Sequence, residues 1–94
     1  MTIQSYIDRK RAAGAREHEG NKTDWAGWTL RDFHVAMAGE LLDLINYAQR
    51  AVDLFYEGGE TEAILGDAEV CLSLLSEEAL EAACQEAEQE AENG

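Results

Sequence analysis

The chain has 94 residues, 46% of them hydrophobic, and a formal net charge of −13. This length fits one domain, residues 1–94, and the hydrophobic content is typical of a globular protein and argues against general disorder. No apolar run approaches the ~20 residues that cross a membrane, and the N-terminus lacks a signal-peptide pattern, so we expect a cytoplasmic protein.

The first predicted element is a short helix over residues 3–13, which Thr2 or Ser5 can cap. Its apolar patch is small and consists of Ile3, Tyr6 and Ile7. Gly14 is expected to end the helix, and the glycine-containing stretch 14–28 is the best loop candidate.

Two tryptophans, Trp25 and Trp28, lie in this predicted loop. Large aromatic side chains in a loop usually fold back over the edge of a core. The alternative is a binding surface, where tryptophan is enriched. Trp25 and Trp28 are therefore candidate partner-binding residues under the second interpretation.

The second predicted helix covers residues 30–57. Thr29 can cap its free N–H groups, and the Gly58-Gly59 pair is expected to end it. Apolar residues recur along one side, the apolar stripe, at Leu30, Met37, Leu41, Ile45, Ala48, Val52 and Phe55. A stripe of this length must pack against two shorter helices or against a second copy of the chain.

A further helix is predicted over residues 61–92, with candidate breaks at Gly66-Asp67 and at Ser76, where Asp67 or Ser76 can cap a new helix. Residues 86–94 are expected to form a frayed acidic tail, because like charges repel and little is left to bury. The predicted fold is all-α, a helical hairpin of two long helices with the short N-terminal helix packed across it. These helices form a small bundle, either within one chain or, as an alternative, with a second copy of the chain.

The sequence contains no complete catalytic motif. It lacks a glycine-rich phosphate loop, a serine nucleophile elbow and a cysteine-and-histidine metal spacing. Cys71 and Cys84 would lie on different faces of one helix, which suits neither a mutual disulfide nor a metal site. We interpret them as two small buried residues.

The segment from Glu40 to Ala48 reads Glu-Leu-Leu-Asp-Leu-Ile-Asn-Tyr-Ala. It resembles the second acidic motif, Glu-x-x-Asp, of the MazG-like all-α NTP pyrophosphohydrolases. The resemblance covers residues 14–48 and extends to short phage proteins of this kind. It implies a magnesium ion held by Glu40 and Asp43, because acids three residues apart point to nearly the same side of a helix. Such an ion neutralises phosphate charge and activates water.

The chain departs from this family in its other acidic motif. The family has an earlier Glu-Glu-x-x-Glu on a neighbouring helix, and no such motif precedes Glu40 here. Glu77, Glu78 and Glu81 have the spacing but follow Asp43. We therefore predict a non-catalytic protein without a cofactor. The alternative is a magnesium-dependent nucleotide pyrophosphohydrolase of the MazG-like group, or a degenerate relative.

Charge is distributed unevenly along the chain. Residues 1–31 have a net charge of +2, whereas residues 32–94 have −15. The acidic part would repel nucleic acid and attract a basic protein surface. On a continuous helix, five of its carboxylates share one side, which we name the acidic ridge: Glu77, Glu78, Glu81, Glu88 and Glu92.

These features predict an acidic, phage-encoded binding protein that inhibits a host or defence protein by imitating nucleic acid. Anti-CRISPR proteins and other DNA mimics are analogous in character only. The expected partner is a nucleic-acid-handling protein with a basic surface, without direct contact to nucleic acid or membrane, and a homodimer is a further expectation. The competing interpretation is that the acids only keep the chain in solution.

Overall fold

A computed structural model of the chain describes residues 2–17, 25–55 and 59–93. All regular structure in these ranges is helical: α1 (Ile3–Glu17), α2 (Leu30–Phe55), α3 (Glu60–Ser73) and α4 (Glu77–Asn93). The all-α prediction is confirmed as a small helical bundle in which α2 packs against both α3 and α4. None of the helices in the described ranges is long and apolar enough to cross a membrane.

Three helices begin at the side-chain caps that the sequence predicts. At α2, the N–H of Asp32 donates to Thr29 Oγ1 at 3.2 Å, and the N–H of Thr29 donates to Asp32 Oδ2 at 2.8 Å. At α4, Ser76 Oγ accepts the N–H three residues further on at 3.1 Å. At α1, Thr2 Oγ1 accepts the N–H of Ser5 at 3.2 Å. Each bond satisfies a backbone donor that the helix itself leaves free.

The second half of the chain forms two helices, so one of the breaks that the sequence allows is present and the predicted hairpin of two long helices is wrong. The break falls at the Ser76 candidate, because the Ser76 hydroxyl starts a new helix and Glu77 favours its positive end. Gly66 lies inside α3. One long helix, α2, thus packs against two shorter ones in place of the hairpin. Fraying of residues 86–94 stays a prediction, and α4 extends through Asn93.

The first helix is longer than predicted and does not pack across the bundle. It continues through Gly14 to Glu17, since a single glycine costs a helix only about 1 kcal/mol. Ile3, Tyr6 and Ile7 are all exposed. Within the described ranges, α1 makes no extended packing with α2, α3 or α4.

The predicted end of the second helix lies partly outside the described residues. The structure describes α2 to Phe55, and residues 56–58 fall in the gap. Gly59 directly precedes α3 and has φ 67°. Glycine adopts this left-handed conformation without the steric penalty of a Cβ atom.

Small side chains form the buried core. Ala38 of α2 and Ala79 of α4 are 0% and 1% exposed, and they join Val35 and Ala83 in one cluster. Larger, partly buried residues pack around it: Leu42, Leu72, Leu75 and Leu80. Since interaxial distance depends on the side chains at the contact, alanines allow α2 and α4 to approach closely.

The buried side of α2 is rotated away from the predicted apolar stripe. Val35 and Ala38 are buried although they lie outside that stripe. Leu30, Met37 and Phe55 belong to the stripe but are exposed, and its other members are buried or half-buried. Because α2 contacts two helices, its buried side is centred between them rather than on its bulkiest residues. One apolar margin of α2 therefore faces outward.

Candidate functional site

The acidic ridge follows the outer side of α4. Ala79 and Ala83 are the residues that α4 buries against the bundle. At 100° per residue, the ridge carboxylates lie on the other side of the helix. All five are exposed: Glu77, Glu78, Glu81, Glu88 and Glu92. The continuous helix α4 thus places the five predicted residues on one exposed side, at whose margins Glu78 and Glu88 also reach toward α2.

One ridge residue, Glu78, has a cationic partner in the described part of the chain. The Nε of Arg31 donates to Glu78 Oε1 at 2.6 Å. This hydrogen bond and the negative charge of Glu78 raise the pKa of Arg31. The pair connects the start of α2 to the start of α4. Among the described residues, the other four ridge carboxylates have no ion-pair partner.

A polar groove of about 540 Å³ lies between α2 and α4. Carboxylates of both helices line it: Glu40, Asp43, Glu86, Glu88 and Glu90. Across residues 2–17, 25–55 and 59–93, no three acidic, histidine or cysteine side chains are grouped closely enough to hold a metal ion. No third ligand of this kind is grouped with Glu40 and Asp43 among these residues, and the magnesium ion that the resemblance implies stays a prediction.

The late Glu-Glu-x-x-Glu motif is remote from Glu40 and Asp43. Its glutamates lie on the first turns of α4, where Glu78 pairs with Arg31 near the start of α2. The polar groove receives its α4 side chains only from Ala83 onward. The inverted motif thus belongs to the ridge and does not line the polar groove.

An apolar groove of about 580 Å³, the aromatic groove, opens between α2 and α3. Trp25, Trp28 and Phe33 form a cluster at one end, with ring centroids 5.0 Å apart for Trp28–Phe33 and 6.1 Å for Trp25–Phe33. These separations are typical of favourable aromatic pairs. The remaining lining is almost entirely apolar: Ala36, Met37, Glu40, Leu41, Cys71, Leu74 and Leu75.

The two tryptophans both pack against a neighbouring side chain and stay exposed to solvent. Trp25 and Trp28 pack onto Phe33 at the start of α2, as loop aromatics do, yet they remain 60% and 39% exposed. Met37 and Leu74 are also exposed. A contiguous apolar surface of this kind is a candidate interaction surface, and a partner-binding role for the tryptophans stays a prediction.

Three groove residues, Phe33, Met37 and Leu74, were not predicted to be functional. Phe33 and Met37 are four residues apart and share a side of α2. That spacing predicts an apolar side of the helix, but it does not indicate whether this side is buried or exposed. Leu74 comes from the end of α3 and joins them only through the packing of the two helices.

The two cysteines are exposed free thiols, so the prediction that they are buried is wrong. Cys71 belongs to α3 and lines the aromatic groove, whereas Cys84 belongs to α4 and lines the polar groove. The break at Ser76 places them on separate helices and at the edges of two grooves.

No protein family, curated protein or solved structure matches this chain. The resemblance of residues 14–48 to the MazG-like group stays an expectation from the sequence. Its segment 18–24 lies outside the described residues. The geometry of the ridge and of the two grooves is therefore the basis for a functional proposal.

Proposed function

We propose that this protein is a non-catalytic inhibitor that occupies a basic, nucleic-acid-binding site on another protein through its acidic ridge. The observation that carries the proposal is the placement of five carboxylates on the outer side of one continuous helix. Within the described residues, only Glu78 among them is compensated by a cation. Inhibition follows because the ridge and nucleic acid compete for the same site. A phage-encoded inhibitor of a host or defence protein is the class that fits.

The spacing and direction of α4 support this proposal. Glu77 and Glu81, like Glu88 and Glu92, are one turn apart, which separates such side chains by ~5–6 Å. This separation is similar to the spacing of phosphates along a nucleic-acid strand. The last turn of α4 contains no basic residue, so the negative end of the helix dipole adds to the field of the glutamates.

The proposal is tested by affinity capture from the lysate of the natural host with three immobilised proteins. The ridge variant is Glu81→Lys/Glu92→Lys. The matched control, Glu62→Lys/Glu69→Lys, makes the same change in net charge at exposed positions of α3. We expect the parent and the control to retain a nucleic-acid-handling protein that the ridge variant does not retain. Duplex DNA added to the column should release it.

Two results would contradict the proposal. Equal loss of the captured protein in both variants would mean that net charge alone, and not the ridge, determines binding. A captured protein that duplex DNA does not release would not be bound through its nucleic-acid site.

The alternative activity, a magnesium-dependent nucleotide pyrophosphohydrolase, is tested separately. Incubation with a panel of nucleoside triphosphates and magnesium should release no pyrophosphate above background, because no Glu-Glu-x-x-Glu motif precedes Glu40 in the sequence. Turnover that is lost in Asp43→Asn and kept in the exposed control Asp53→Asn would replace the inhibitor proposal with the enzymatic one.

A further inference from the structure

The single chain exposes more surface than a compact monomer of the same mass. Its accessible surface is 7703 Å², whereas a compact 10.4 kDa monomer exposes about 5,400 Å². Its radius of gyration is 15.6 Å, against about 12 Å for a compact domain of this length. The excess surface is larger than the ~800 Å² that each partner contributes to an interface of standard size.

The aromatic groove is an apolar part of this exposed surface, and acidic residues accompany it. Glu40 lines the groove from α2. On α3, Asp67 is exposed one turn before the lining residue Cys71, and therefore lies on the same side of that helix. An occupant that is apolar along its centre and basic at its edges would complement this groove.

Helix α1 has these properties. Ile3, Tyr6 and Ile7 have the i, i+3, i+4 spacing of an amphipathic helix that binds in a groove, and all three are exposed. The helix carries a net charge of +2 in a chain whose net charge is −13. A helix of 15 residues is marginal in water without packing, so α1 gains stability from any surface that covers this side.

We propose that two copies of the chain form a dimer in which α1 of each copy lies in the aromatic groove of the other. The apolar side chains of α1 contact the aromatic cluster and Met37, and its basic residues face Glu40 and Asp67. In the described structure the chain's own α1 leaves the groove open. Two-fold symmetry makes the exchange reciprocal, so each dimer contains the contact twice. The acidic ridge stays on the outer side of α4 and is not used.

The mass of the protein in solution gives the first test. Light scattering after size exclusion should give twice 10.4 kDa for the parent. Ile7→Asp in α1 and Met37→Glu in the groove should each halve the mass without loss of helical circular dichroism, since both residues are exposed in the single chain. Val70→Glu is the matched control, because Val70 is exposed on α3 but does not line the groove. A parent that is monomeric up to millimolar concentration overturns the proposal.

Disulfide trapping identifies the occupant. In a Cys84→Ser background, Ile7→Cys should form an intermolecular disulfide with Cys71 when a mild oxidant is added, giving a dimer band that disappears on reduction. Ala12→Cys lies on the opposite side of α1 and is the control. Three outcomes overturn the proposal: an intramolecular disulfide in a monomer, no disulfide between these two positions, or equal dimer trapping by the control. The first would show that the chain's own α1 covers the groove.

Discussion

At the residue scale, Thr29 and Asp32 determine where the longest helix begins. Each side chain accepts the backbone N–H of the other, so two donors at the start of α2 are satisfied reciprocally. The start of α2 in turn positions Arg31 beside Glu78 and Phe33 beside the tryptophans. A local pair of side chains thus supports both the ridge and the aromatic groove.

The contribution of the Asp32 carboxyl to folding stability should depend on pH. The hydrogen bond from the Thr29 backbone N–H, followed by the one involving the Thr29 side chain, lowers the pKa of the Asp32 carboxyl. A carboxyl with a lowered folded-state pKa contributes stability that is complete above its unfolded pKa, about 3.9. That stability is lost as pH falls through the folded-state pKa. The stability difference between the parent and Asp32→Asn should therefore be largest at neutral pH and shrink in acid.

Thermal melting of the two proteins at neutral and acidic pH measures this difference at a fixed protein concentration. Asp53→Asn is the control for a lost surface carboxylate, since within the described ranges the exposed Asp53 accepts one side-chain hydrogen bond, from Gln49. A difference between the parent and Asp32→Asn that stays constant across the range would contradict the assigned cap.

At the scale of elements, the contact between α2 and α4 depends on alanine. Ala38 and Ala79 are almost completely buried, and no larger side chain in the described residues is fully buried. The two helices are therefore held at a separation that small residues determine.

Replacing Ala38 by leucine should push α2 and α4 apart. Overpacking of a close-packed site costs about 1–3 kcal/mol in the free energy of unfolding. Ala63→Leu is the control, because it introduces the same side chain at an exposed position of α3, outside the contact between α2 and α4. Urea denaturation should give a lower midpoint for Ala38→Leu and an unchanged midpoint for Ala63→Leu. Matching midpoints would show that the α2–α4 contact is not close-packed at Ala38.

The sequence predicted those features of the elements that depend on neighbouring residues. The caps at Thr2, Thr29 and Ser76 each involve a donor within the next three residues, and all three are confirmed. The sequence allows a break at Gly66 or at Ser76, because glycine can lie inside a helix or end it and serine can cap a new one. The structure has the break at Ser76.

Features that depend on packing between distant segments could not be predicted in the same way. Hydrophobicity alone favoured Met37 for the core, whereas the approach of α4 buries Ala38 instead. The tryptophans were identified as candidates from their loop position. Their partners Phe33 and Leu74 come together only when α2 and α3 pack, so the groove itself was missed.

At the scale of the whole molecule, charge and apolar surface are separated. The carboxylates of the ridge face outward from α4, and the apolar groove opens between α2 and α3. The basic residues are concentrated before residue 32, mostly in α1. This separation allows one surface to join two copies while the other binds a partner, so the two proposals can fail independently.

The salt dependence of binding to the captured protein decides whether the acidic ridge binds a basic surface. Exposed charges mainly accelerate association, and salt screens them with a length of ~10 Å at 0.1 M. We therefore expect the association rate, measured by surface plasmon resonance, to fall at least about tenfold between low and high salt. Glu81→Lys/Glu92→Lys should associate slowly at every salt concentration, whereas Glu62→Lys/Glu69→Lys should stay closer to the parent. Equal association rates at low and high salt, or equal rates for the two variants, would show that the ridge does not bind the partner.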